Sequence, residues 1–184
     1  PNLDFRKGSA EEIPFKDNSF DVVILSDVLE HVADEKKCLS EIHRVLKDDG
    51  KLILTVPHKG LFSFLDVDNY SYFLRTKMYG LYKILYKIKK KKLPEEKPGY
   101  TQKHKHYSIK DIEKILTRFN VVDVTRRGLI IIPFVLNLRL LIRWCLGEKI
   151  ELKLKKFLNK LIDFDYSNRY GRFSLYIAVY AHKN

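Results

Sequence analysis

The stretch from Phe20 to Pro57 limits this chain more than any other. "FDVVILS" is a short β-branched run that ends abruptly in Ser26, followed by Asp27. It reads as a buried strand with polar groups delivered at its carboxyl end. "DEKKCLSEIHRVLKDDG" places Cys38, Leu39, Ile42, Val45 and Leu46 on one helical face, with Gly50 as the stop. "KLILTVP" is the next strand, closed by Pro57. Strand, helix and strand with short links form a βαβ unit, so the two strands must be parallel and the class is α/β. The crossover is expected to be right-handed.

Later segments continue the alternation less regularly. "YSIKDIEKILTRF" reads as a helix capped by Ser108, with Ile112, Ile115 and Leu116 turned inward. "NVVDVTRRGLIII" gives a strand with a bend near Gly128, and "FSLYIAVYAHK" a final strand. Two helix-rich insertions interrupt the pattern, at about residues 58–103 and 133–171. Between them the chain reads as one domain, 1–184. The first insertion carries Leu81, Ile84, Leu85 and Ile88 on one face, ahead of Lys89–Lys92 and a loop, "LPEEKPG". In the second, "LIIIPFVLNLRLLIRWCL" is broken by Pro133, Asn137, Arg139 and Arg143. A bilayer span needs roughly 20 predominantly apolar residues, and arginines near its middle are costly. "IELKLKKFLNKLIDF" is instead a basic amphipathic helix, with Ile150, Leu154, Phe157, Leu158 and Leu161 against Lys153, Lys155, Lys156 and Lys160.

Charge is unevenly placed. Residues 1–60 carry a net −3 and residues 61–184 a net +15, within a total of +12. A basic half points to an anionic partner: a membrane surface, a phosphorylated substrate or a nucleic acid. Cys38 and Cys145 have no disulfide or metal spacing, which fits a reducing, cytoplasmic setting. No signal-peptide pattern opens the chain.

The order "GSAEEIPFKDNSFDVVILSDVLEHV" then "EIHRVLKDDGKLILTVP" resembles the class I S-adenosylmethionine-dependent methyltransferases, type 11, a small-molecule group that includes quinone methyltransferases. The likeness is strong over about residues 3–60 and returns at "HKHYSIKDIEKILTRF" and the last strand. It implies a Rossmann-like sheet of order 3-2-1-4-5-7-6 with strand 7 antiparallel. Strands 3 to 7 would fall at Leu3–Arg6, Asp21–Ser26, Lys51–Val56, Val121–Thr125 and Ser174–Ala181. Strands 1 and 2, with the glycine-rich loop and the ribose-binding acid, have no counterpart. Gly8 is the only glycine before Phe20, and the first residue is Pro1. The expectation is a C-terminal fragment that binds the cofactor weakly alone. It should also show an apolar edge beside the Asp21–Ser26 strand and tend to associate.

The resemblance also assigns residues. Ser9 and the Ala10 N–H would meet the adenine, unless they merely cap the turn "SAEEI". Ser26, Asp27 and Val28 would meet the methionine part of S-adenosylmethionine. His31 is the candidate catalytic base, with His58 and His106 as rivals. Asp27, Glu30 and His31, on adjoining helical positions i, i+3 and i+4, with His104 or His106, also resemble an E-x-x-E-H metal site, although Asp27 stands where a longer Glu is expected. The reading therefore assigns no resident metal. The expected acceptor is small or lipid-linked, such as a quinone or a polyprenyl-linked sugar, with contact at the membrane surface. The rivals are an RNA methyltransferase and a non-catalytic module that binds a membrane or partner.

Overall fold

A computed structural model describes residues 3–60, 76–88, 104–128 and 131–184, together with residues 63, 66, 69, 72 and 73. Four strands form the described sheet: β1 (Phe20–Ser26), β2 (Leu46–Pro57), β3 (Phe119–Arg127) and β4 (Tyr176–Lys183). Their order is β1-β2-β4-β3. β1 runs parallel to β2, and β4 runs antiparallel to both β2 and β3. This is the 4-5-7-6 portion of the order expected from the resemblance, antiparallel strand included.

The helices are α1 (Glu35–Val45), α2 (Tyr79–Ile88), α3 (Ile109–Ile115), α4 (Ile131–Cys145) and α5 (Glu148–Ser167). On one face of the sheet, Leu52, Leu54 and Val56 of β2 line up with Ile177, Val179 and Ala181 of β4, each alternate and buried. Against them pack Cys38, Leu39 and Ile42 from the predicted face of α1, and Ile112 and Leu116 from α3 and its end; Val45 of α1 is buried outside this cluster. Each large side chain buried this way contributes roughly 1.5–3 kcal/mol. α3 starts on a full capping box: Ser108 Oγ accepts the Asp111 N–H, and Asp111 accepts the Ser108 N–H. α4 and α5 pair along their length, joined by Arg139, which donates to the buried Glu151 at 2.7 Å.

Four expectations need correction. Leu3–Arg6 is not a strand. Its residues are irregular, with Leu3 and Phe5 exposed and Arg6 turned onto Asp4 and the Pro14 carbonyl. A strand persists only beside a ladder partner, and none lies next to it among the described residues. β1 is not buried on both faces: Val22 and Ile24 are exposed, so the expected apolar edge is present. α1 stops at Val45, well before Gly50, because Leu46 turns extended to pair with Phe20. Lys47–Gly50 then form a bulge, and Asp49 takes a left-handed φ of 61°. Finally, Asp27 is not helical. Its φ is 51°, and only Leu29–His31 form a short 3-10 turn.

The bend at Gly128 is real, with φ at 72°. Of the first insertion, α2 is described, and Leu81 and Ile84 are exposed on it. Lys89–Lys92 and the loop after them lie outside the described residues. On α5 only Leu158 of the predicted apolar face is buried, while Ile150, Leu154 and Phe157 are exposed. Among the described residues no helix is long and apolar enough to cross a membrane.

Candidate active site

The carboxyl end of β1 opens into a cleft of about 240 Å³ lined by Ser26, Asp27, Thr55, Arg127, Tyr166 and Tyr176. Parallel α/β sheets present ligands with polar groups at such strand ends. Thr55, opposite Ser26 in the β1–β2 register, holds the rim in place. Its Oγ1 lies 3.0 Å from Ser26 Oγ and accepts the Asp27 N–H at 3.2 Å, while its carbonyl accepts the same N–H at 3.1 Å. The left-handed turn at Asp27 follows from this double anchor. Burial, then the nearby Glu30 carboxylate, raise the Asp27 pKa. Val28 is half-buried against the core.

Tyr166 and Tyr176 close the other side, and Arg127 donates to the Tyr166 carbonyl at 3.2 Å. Burial pushes the Tyr166 hydroxyl up to about 12 and that of Tyr176 higher. Thr55, Arg127, Tyr166 and Tyr176 were not singled out by the sequence. No spacing signal marks them, because they come from separate elements that meet only in the folded sheet.

A second centre adjoins the cleft, formed by Glu30, His31, Asp66, His104 and His106. Asp27 feels the Glu30 and His104 charges, and Tyr176 feels both Asp27 and Asp66. Tyr107 sets the segment that carries the two later histidines. Its backbone pairs with Pro57 and Lys59 at the end of β2, and its hydroxyl lies 2.8 Å from Glu35 Oε1 and 3.2 Å from the Leu29 carbonyl. Asn69 clamps the His104 backbone, accepting its N–H at 3.0 Å. His104 Nδ1 then sits 2.6 Å from Asp66 Oδ2, and His106 Nε2 sits 3.0 Å from the same oxygen. Asp66, then Glu30, hold the His104 pKa up at about 10.

The structure places the predicted site residues as follows. Ser26 and Asp27 line the cleft, with Val28 directly after them. Ser9 and Ala10 form a turn in which Ser9 Oγ accepts the Glu11 N–H at 3.1 Å. Glu11 ties that turn to the foot of α1 by accepting the N–H groups of Ala33 and Asp34. His31 is exposed, outside the cleft lining, and stacks on His104 with ring centroids 4.9 Å apart. His58 is buried, with Nδ1 2.7 Å from the Ser174 carbonyl, and burial lowers its pKa. Its ring serves the packing of the sheet end.

Known proteins resemble this chain over part of its length. Residues 1–54 match the family described as "Methyltransferase domain". The likeness to this methyltransferase family covers residues 1–54 of the 184. It is 48% identical over 54 residues to demethylmenaquinone methyltransferase from Renibacterium salmoninarum, covering 29% of this chain and 23% of that one. It is 38% identical over 79 residues to the ubiquinone/menaquinone biosynthesis C-methyltransferase UbiE of Vibrio vulnificus, covering 42% and 30%. The matched segments thus span less than a third of these relatives. A solved structure described as a "putative sarcosine dimethylglycine methyltransferase" from Galdieria sulphuraria superposes with a TM-score of 0.50 at 16% identity, over 96% of this chain and 58% of that one. That likeness shows the methyltransferase fold. S-adenosylmethionine is the cofactor of the methyltransferase family, and the Ser26–Val28 corner falls within the matched segment.

Proposed function

We propose that this methyltransferase chain serves methyl transfer from S-adenosylmethionine to a small or lipid-linked acceptor. The observation that carries the reading is the coincidence of the family-matched Ser26–Val28 corner with the cleft at the carboxyl end of β1. The described residues fit one side of such a cofactor. Ser26, Asp27 and Val28 would meet its methionine part, and Ser9 and Ala10 its adenine. The other side, a glycine-rich loop and a ribose-binding acid, has no counterpart among the described residues. The complete site therefore draws on more than these residues supply, and the open edge of β1 is where the missing groups would join.

The bound cofactor supplies an electrophilic methyl group, so positioning of the acceptor does much of the catalytic work. Tyr166 and Tyr176 offer flat apolar faces for an acceptor ring, beside polar groups at Asp27 and Thr55. Where the acceptor must lose a proton, the base in reach is Asp27, in the cleft; His31, one turn on and outside the cleft lining, would serve only with its ring free of metal.

The basic half supports the lipid-linked form of the reading. Phe134, Leu141, Leu146, Phe157 and Phe164 are about three-fifths exposed on and beside α4 and α5, next to Lys153, Lys155, Lys156 and Lys160. Such a surface suits peripheral contact with an anionic membrane on the cytoplasmic side. Calorimetric titration with S-adenosylhomocysteine tests the proposal, on this chain and on any longer polypeptide that contains it. Binding that Asp27→Asn weakens supports it. Absence of binding in both forms overturns it.

A further inference from the structure

We propose that Glu30, His31 and His104 form a binding site for one divalent transition-metal ion of the zinc type, with Asp66 orienting His104. The proposal does not rest on the methyl-transfer reading, and it reverses the expectation of no resident metal drawn from the sequence.

Three observations carry it. First, one ligand atom from each of the three residues lies within 4.8 Å of the other two. In a tetrahedral site with bonds of about 2.0–2.2 Å, neighbouring ligand atoms stand about 3.3–3.6 Å apart. His104 Nε2 and Glu30 Oε1 already stand 3.6 Å apart. That is too long for a hydrogen bond and suited to two ligands sharing an ion.

Second, the Glu30 side chain is 0% exposed, and neither of its carboxylate oxygens has a hydrogen-bond partner. A buried carboxylate in that condition is costly unless a cation answers it. A protonated His104 at 3.6 Å answers it in part; an ion between them would answer it fully.

Third, Asp66 takes the opposite ring nitrogen of His104 at 2.6 Å. With Nδ1–H donated to Asp66, the Nε2 lone pair faces Glu30. Metal-bound histidines are held in this carboxylate–imidazole arrangement, which fixes the tautomer and strengthens the ligand. His106 leans on the same Asp66 oxygen and supports it from the other side.

Two imidazoles and one carboxylate favour zinc or its neighbours over magnesium, which prefers an all-oxygen shell. Asp27 does not join the set: it lines the cleft, where its Oδ2 accepts from Ser26 Oγ at 3.4 Å. Three protein ligands leave a fourth position on the exposed His31 side, open to water or a small ligand.

The test uses the whole chain, stripped with a chelator and titrated with Zn²⁺ alone by calorimetry, with bound metal counted by mass spectrometry. One equivalent should bind, and Co²⁺ in its place should give the visible absorption of a tetrahedral N/O site. Glu30→Gln and His31→Ala should each lose the equivalent, and Asp66→Asn should weaken it roughly 10–100-fold. His31 is exposed, so its variant keeps the fold, which circular dichroism checks. A wild-type chain that is folded and takes up no zinc overturns the proposal. So does zinc bound equally by wild type, Glu30→Gln and His31→Ala. Metal content is read directly, so the result is independent of methyl transfer.

Discussion

Tyr166 and Tyr176 lie ring on ring, centroids 5.5 Å apart and planes 29° from parallel, and so join the last turn of α5 to the first residue of β4. The pair is both a wall of the cleft and a bolt between the helical insertion and the sheet. A double-mutant cycle with Tyr166→Leu and Tyr176→Leu, read by urea denaturation, should show a coupling of about 0.5–1.5 kcal/mol. Additive effects would mean the rings merely neighbour each other.

Acid should weaken the fold partly through Glu41. The Arg44 guanidinium, and then the Ile13 N–H, hold its carboxyl down at about 2. A depressed carboxyl stabilises the fold above its unfolded value near 4.5 and loses that contribution as pH falls through about 2. Between pH 5 and pH 2 the urea midpoint of wild type should therefore drop more steeply than that of Glu41→Gln. Parallel slopes would show that Glu41 has no part in the acid response.

Gly128 stands at the exit of β3 with a left-handed φ of 72°, and a Cβ there would meet Ile132 Cδ1 at 2.6 Å. Gly128→Ala should cost about 1–2 kcal/mol from the backbone alone. Ile132 is buried, so some further cost comes from moving its methyl. Ile132→Val removes that methyl. The double variant should then be more stable than the sum of the two single losses predicts.

The exposed apolar surface of α4 and α5 should bind anionic vesicles and release them as salt rises. Phe157→Ala should weaken binding roughly tenfold if the ring inserts, since burying it is worth about 1.5–3 kcal/mol. Equal binding to neutral and anionic vesicles, or no change with Phe157→Ala, would argue against the membrane part of the reading.

The two cysteines should separate by reactivity. Cys38 is buried and its thiol is pushed up to about 11, whereas Cys145 is exposed. A thiol reagent at neutral pH should titrate one group quickly and the other only on unfolding. Two fast thiols would show that α1 opens readily.

The strands and α1 were legible because their periodicity is local: Leu52, Leu54 and Val56 alternate, and Cys38, Leu39, Ile42 and Val45 repeat at helical spacing. The capping box at Ser108 is equally local. What sequence could not show is where ladders fail. Leu3–Arg6 has strand composition and no neighbour to pair with among the described residues, and Val22 and Ile24 have core composition and no cover. The candidate site was half legible. Ser26 and Asp27 announce themselves by ending an apolar run. Thr55, Arg127, Tyr166 and Tyr176 reach the same cleft from four different places, and Asp66 lies in a stretch with no pattern at all.

β4 is the latest of the four strands along the chain, yet it sits inside the sheet, between β2 and β3. During synthesis β3 therefore emerges with no ladder to join, and waits until Tyr176–Lys183 has left the ribosome. Until then Leu52, Leu54 and Val56 on β2 lack the neighbours on β4, Ile177, Val179 and Ala181, that complete their buried face.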